Sequence, residues 1–207
     1  MSLNLDGLYD FSKFILSRTY GFNENILDKN LIATAAKLTV ADSKYHFEIN
    51  ADEVVSRICA NRNELPVYLH RLGRTAFLQQ KDHPILPHLH WAMRELCNCE
   101  IYFSSEIDEG LLIIHGLGTV IGSRNRIGKG FTIYQGCTIG HITDGGKGCM
   151  IGDDVTMYVN SQILGELTIG DNAVIGSNSL VLKDVPAGSV AKGSPAGFTP
   201  LNQTGHK

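Results

Sequence analysis

The chain has 207 residues, a formal net charge of -3, 43% hydrophobic and 19% charged residues. That length can bury a sizeable core, and the apolar fraction is that of a globular protein, not of a disordered one. Charges of both signs are interspersed, which excludes a basic nucleic-acid face, and no apolar run approaches the roughly 18 residues of a membrane span.

The start, Met-Ser-Leu-Asn-Leu-Asp, lacks the basic residues and cleavage site of a secretion signal. Cys59, Cys97, Cys99, Cys137 and Cys149 are scattered without metal spacing, and Cys97-x-Cys99 is too short for a zinc ribbon. They read as buried free thiols of a cytoplasmic protein.

Residues 1–98 read as an α-helical N-terminal domain. Leu8, Phe11, Phe14 and Ile15 recur at helical spacing, with Gly21 as a stop. Residues 41–50 read as a connection. Asn50 with Glu53 forms a capping box ahead of Val54, Val55 and Ile58. Pro66 opens the next helix, carrying Leu69, Leu72 and Phe77; Pro84 opens another, carrying Leu86, Leu89, Met93 and Leu96. Trp91 reads as core. His88-x-His90 falls on this last helix, where an i, i+2 pair shares no face and makes no metal site.

Residues 99–207 follow a different rule. Aliphatic residues stand at Ile101, Ile107, Ile113, Ile121, Ile127, Ile133, Ile139, Ile151, Met157, Ile163, Ile169, Ile175 and Val181. The step is six, with a two-residue slip before Ile121 and a missing rung at Gly145. Neither a helix nor a two-faced strand has that period. A solenoid does: each hexapeptide makes a short strand and a corner, and three close a triangular coil. Glycine follows the aliphatic at 122, 128, 140, 152, 170 and 176, where a corner has little room. The fold class is mainly β, a parallel β-helix of hexapeptide repeats preceded by helices.

Residues 101–196 resemble the hexapeptide-repeat acyltransferases, and the stretch from Val181 to Ala196 is similar to that family's C-terminal signature. With Leu69-His70-Arg71-Leu72-Gly73-Arg74 included, the likeness is best to the serine O-acetyltransferase branch. It implies a left-handed β-helix, although crossovers are normally right-handed. It also implies acetyl-CoA as acyl donor without a metal, and a homotrimer or dimer of trimers with the donor in the cleft between protomers.

Acetyl transfer to a hydroxyl needs a base, and histidine titrates near neutrality. His115 lies inside the two-residue slip, and an extra residue in a regular ladder re-aims a side chain, as beside many active sites. The resembling enzymes have their catalytic histidine in the same slip. They have the aspartate of a His–Asp dyad where this chain has Glu100, which implies that Glu100 orients His115. The stretch from His141 to Met150 replaces a rung with polar and glycine residues and reads as an extruded loop. Gly145-Gly-Lys-Gly148 lacks P-loop spacing. By resemblance, the pantetheine arm of acetyl-CoA passes Gly140 and His141, backbone groups at Val159 and Ser177 hold its amides, and Lys183 and Lys192 meet the phosphates. The family has glycine at the position of Tyr158. The three zinc-binding histidines of γ-class carbonic anhydrases have no counterpart, since only His115 and His141 fall in these coils.

At the acceptor end the chain departs from the family. Serine acetyltransferases have an aspartate before the catalytic histidine and an Arg-His pair after the loop; here stand Ile114 and Gly148-Cys149. Both ionic handles for a zwitterion are absent, so a neutral acceptor such as a sugar hydroxyl is the first expectation. L-serine is the alternative, and a catalytically idle β-helix serving assembly is a further one.

Overall fold

The computed structural model describes residues 4–201; the first residues of the chain and the last six of the predicted second domain lie outside them. Five α-helices come first: α1 Leu5–Leu16, α2 Lys29–His46, α3 Ala51–Cys59, α4 Glu64–Gln79 and α5 Leu86–Cys97. Asn50 caps α3 as predicted, its Oδ1 accepting from the Glu53 N–H at 2.9 Å. Pro66 falls in the first turn of α4. In α5 it is Pro87, not Pro84, that occupies the first turn.

The predicted connection at 41–50 is a correction: α2 runs through His46. Its buried face is built largely of small and polar groups, Ala35, Ala36, Thr39, Asp42 and Ser43, so no apolar stripe announces it. Trp91 is a second correction. Its neighbours Leu89 and Met93 are buried, whereas Trp91 itself is 36% exposed. Of the five cysteines, all free, Cys59 is exposed and the other four are buried.

From Glu100 the chain winds through five coils whose strands stack into three parallel sheets. The first holds Glu100–Ile101, Val120–Ile121, Thr138–Gly140, Gln162–Leu164 and Leu180–Val181. The second holds Glu106–Ile107, Arg126–Ile127, Met150–Ile151 and Thr168–Ile169, and the third holds Leu112–Ile114, Thr132–Tyr134, Thr156–Met157, Val174–Ile175 and Ser189–Lys192. The register stacks the predicted rungs directly: Ile101 on Ile121, Ile121 on Ile139, Ile139 on Ile163 and Ile163 on Val181. All are buried. Each such isoleucine contributes roughly 1.5–3 kcal/mol by leaving water. The missing rung at Gly145 is six extra residues between two ordinary strands, so the loop from His141 to Cys149 leaves the coil without breaking the stack. Strand Gly197–Pro200 turns back antiparallel on Ser189–Lys192 and lies at the edge of the third sheet.

The glycines at 122, 128, 152 and 170 are needed for proximity, not for unusual backbone angles. A Cβ on Gly170 would meet the Ala187 nitrogen of the next coil at 2.3 Å.

The stretch 69–74 is where the helices dock on the first coil. Arg71 donates to both carboxylate oxygens of Asp42 on α2 (Nε–Oδ2 2.8 Å, Nη2–Oδ1 2.7 Å) and to the Ile107 and Asp108 carbonyls of the coil. Asp42 in turn accepts from the Gly110 and Leu111 N–H groups at 2.8 and 3.1 Å. Gly73 gives up its Cβ to the Phe103 ring, which would lie 2.3 Å from it, and Arg74 Nη1 donates to the Phe103 carbonyl at 3.2 Å. Fully buried His70, beside Phe103, has its pKa driven well below the usual value by burial and by Arg71 and Arg74, so it is neutral. Among the described residues no helix is long and apolar enough to cross a membrane.

Candidate active site

His115 follows directly on strand Leu112–Ile114 at the corner between the third and first sheets. Its φ is +64°, in the left-handed region that Arg124, Asp154, Asn160, Asn172 and Asn178 also enter at other corners of the solenoid. The Gly116 N–H donates to the Ile114 carbonyl and the Leu117 N–H to the His115 carbonyl, both at 2.8 Å. Two successive i, i+2 bonds with positive φ at His115 and at Gly116 (+61°) are the γ-turn pattern, a strained one. Below the bulge the regular stacking resumes, the Gly136 N–H donating to the Leu117 carbonyl at 2.9 Å and the Gly118 N–H to the Asn98 carbonyl at 2.8 Å. His115 and Gly116 are therefore the two slipped residues, pushed out so that the imidazole is exposed. What sets this corner apart from those of Arg124, Asp154, Asn160, Asn172 and Asn178, which also have positive φ, is the pair of i, i+2 bonds.

The bulge has cavities on two sides. On one, His115 shares a cavity of about 140 Å³ with Asn63, Pro66, Leu96, Cys97 and Leu117. The Cys97 thiol there stays protonated, its pKa raised by a hydrogen bond with Cys99 and by burial. It is no competing nucleophile. On the other side, Glu100 lies in a cleft of about 200 Å³ with Arg94, Asn98, Gly118 and Thr119. Its Oε1 is 3.9 Å from His90 Nδ1. Burial lowers the His90 pKa, with Glu100 opposing that and Arg94 adding to it. Among the described residues no hydrogen bond or ion pair joins Glu100 to His115 within the protomer. The backbone links them instead: the Glu100 N–H donates to the Thr119 carbonyl at the foot of the bulge (2.9 Å).

The residues assigned to acetyl-CoA occupy two corners. Val159 and Ser177 stack at the His115 corner, in successive coils joined by the Asn178 N–H to the Val159 carbonyl at 2.9 Å. Gly140 and His141 lie at the opposite edge of the first sheet. His141 Nε2 donates to the Ser123 carbonyl at 2.7 Å, and its Nδ1 is buried without a hydrogen-bond partner among the described residues. Lys183 holds its ammonium over the Phe198 ring, 4.9 Å from the centroid, and Lys192 is exposed on the third sheet. One protomer thus brings Val159 and Ser177 to the corner of His115 and leaves Gly140 and His141 at the far one. Among the described residues no group of three or more His, Cys, Asp or Glu side chains is placed to hold a metal.

No protein-family model matches the chain. Over 105 residues it is 39% identical to a serine acetyltransferase of Helicobacter pylori, a match covering 50% of this chain and 61% of that one. Over 155 residues it is 32% identical to a serine acetyltransferase of Synechococcus elongatus, covering 69% of this chain and 63% of the relative. Among solved structures, the serine acetyltransferase of Neisseria gonorrhoeae superposes with a TM-score of 0.80 at 25% identity, over 96% of this chain and 79% of that one. The chain resembles the serine acetyltransferase branch of the hexapeptide-repeat acyltransferases. It covers less than two thirds of the length of either of those two curated relatives.

Ile114 is half-buried and faces outward in register with Tyr134. The Tyr134 and Tyr158 rings lie 5.0 Å apart, so an apolar column runs down the third sheet beside the bulge. Sequence reasoning missed the wall that the α3–α4 link contributes to the His115 cavity. Its signal was Asn61-Arg62-Asn63, a short polar run closing one helix before the next.

Proposed function

We propose that the chain is an acetyl-CoA-dependent O-acetyltransferase acting on the hydroxyl of L-serine, with His115 as general base. The observation that carries this reading is the bulge: a strained corner in an otherwise regular solenoid presents one imidazole to a cavity. The imidazole takes the acceptor's hydroxyl proton as the oxygen attacks the thioester carbonyl. The tetrahedral intermediate then collapses, the C–S bond breaks, and the CoA sulfur leaves with that proton. The likeness to serine acetyltransferases supports the donor and the acceptor; the soybean enzyme, similar to this chain at 25% identity and a TM-score of 0.80, was solved with serine.

Ile114 counts less against L-serine than the sequence implied. An unpaired ammonium is expensive only when buried, and within one protomer the imidazole it would sit beside is exposed. A neutral, ring-shaped acceptor such as a sugar remains a second reading, favoured by the Ile114–Tyr134–Tyr158 column. Thiol release from acetyl-CoA with L-serine and with a panel of sugars separates the two. L-serine is expected to give a kcat/KM at least tenfold above the best sugar; the reverse order moves the acceptor to the second reading.

The protomer proposed here is one of three in a ring, or of six as a dimer of trimers, as the resemblance implies. The separation of His115 from His141 across the first sheet supports this, because two copies side by side can offer one donor both corners. Light scattering at micromolar concentration is expected to give three or six chains, and a monomer would remove the cleft from the reading.

A further inference from the structure

The cavity at His115 has a cationic wall that comes from the helices, not from the coils. Arg62 and Asn63 line it from the α3–α4 link. That link is fixed on both sides of Arg62. Asn61 takes a left-handed φ of +52° and its Nδ2 donates to the Leu96 carbonyl at 3.0 Å. The Arg62 N–H donates to the Arg57 carbonyl at 3.0 Å, and the Arg62 carbonyl accepts from Leu65 at 2.9 Å. Nearby arginines are spoken for: Arg57 pairs with Glu64 at 3.0 Å and Arg71 with Asp42. Arg62 has no ion-pair partner among the described residues. No carboxylate lines the cavity, so apart from His115 its ionic character is that of one guanidinium.

An exposed arginine whose backbone is fixed at the lining of the cavity, with no ion-pair partner among the described residues, favours an anion on the acceptor; its planar donors match a carboxylate in a fork geometry. We propose that Arg62 is the specificity-determining residue that binds the acceptor's carboxylate, so that acceptors are small hydroxy acids whose carboxylate meets Arg62 while their hydroxyl faces His115. The inference rests on the reading of His115 as base. It assigns the carboxylate handle to the helical segment, in place of the Arg-His pair that the loop of this chain lacks. It also separates the two charges of serine: the cavity offers a partner for the carboxylate and none for the ammonium. Glycerate, which has no ammonium, is therefore accepted alongside L-serine, and L-serinamide, which has no carboxylate, is not.

The test uses the full chain. The ring resonances of His115, assigned by comparison with His115→Gln, are followed while L-serine, D-glycerate or L-serinamide is added. The two carboxylates are expected to shift them and serinamide to leave them in place. Arg62→Gln, at an exposed position, is expected to weaken carboxylate binding by about 10–100-fold, the worth of a charge-assisted hydrogen bond, and Arg62→Lys to restore part of it. In turnover the loss appears in KM, with kcat nearly unchanged. Equal binding of carboxylates to wild type and Arg62→Gln overturns the proposal, as does serinamide binding as well as serine, or no shift with any of the three. Arg62-dependent binding without release of CoA thiol would instead leave this inference standing and remove the acetyl-transfer reading.

Discussion

Replacing His115 with alanine lowers acetyl transfer by about 10²–10⁴-fold, the usual worth of a general base, and leaves affinity for acetyl-CoA close to that of the wild type. The expectation follows from where the ring sits. It is exposed and makes no hydrogen bond among the described residues, so the side chain contributes little to folding. Its backbone, not its ring, holds the bulge through the Gly116 and Leu117 N–H groups. Alanine at a φ of +64° is no more strained than histidine, and the variant should melt within a degree or two of wild type. Single-turnover thiol release, paired with a binding titration of acetyl-CoA, separates loss of chemistry from loss of donor. Full activity in the variant would place the base elsewhere, with His141 next to be tested. Glu100→Gln is expected to cost less, since its carboxylate faces His90 and reaches the bulge only through the backbone.

Asp42→Ala is expected to destabilise the protein by about 3–5 kcal/mol, the range for removing one partner of a buried ion pair. The Asp42 and Arg71 side chains are 2% and 6% exposed, and each also serves the first coil: Arg71 through two carbonyls, Asp42 through two N–H groups. Removing the carboxylate leaves a buried guanidinium and two coil N–H groups without their acceptor. Arg71→Met alone should cost a similar amount. The double variant Asp42→Leu with Arg71→Met should recover part of the loss, because no net charge stays buried. Urea unfolding of the four proteins measures this, and a single variant within about 0.5 kcal/mol of wild type would mean that water already reaches the pair.

Much of the coil half was legible because its signal is redundant. Thirteen rungs from Ile101 to Val181 repeat one instruction, and the register realises it rung by rung. The slip at His115 could be read for the same reason, as an exception to a strict rule. The helices repeat nothing. No helix was read over α2 because its buried face packs Ala35, Ala36, Asp42 and Ser43 where a stripe of leucines would have been seen. Arg71 stood in a stretch noticed only for its resemblance, and its role depends on a partner 29 residues away in sequence. Arg62 was invisible for a related reason: a lone surface arginine acquires meaning only from the cavity that α4, α5 and the bulge enclose.

The antiparallel return of Gly197–Pro200 bears on what the solenoid does not become. A stack of parallel coils ends, in principle, in a row of unpaired donors and acceptors ready to template a further coil from another chain. Here the chain occupies that row itself. Leu180 is met on its own edge by the Gly193 carbonyl and the Ala196 N–H (2.9 and 2.7 Å), and Ser189–Lys192 is covered by the returning strand, which puts Pro200 at the rim. At the opposite end α4 seats Gly73 on Phe103 and closes the first coil from above. Among the described residues the edge a growing fibre would meet on the third sheet is thus the short returning strand with its proline, not a further parallel rung, while His115 and the tyrosine column lie on the flanks of the prism.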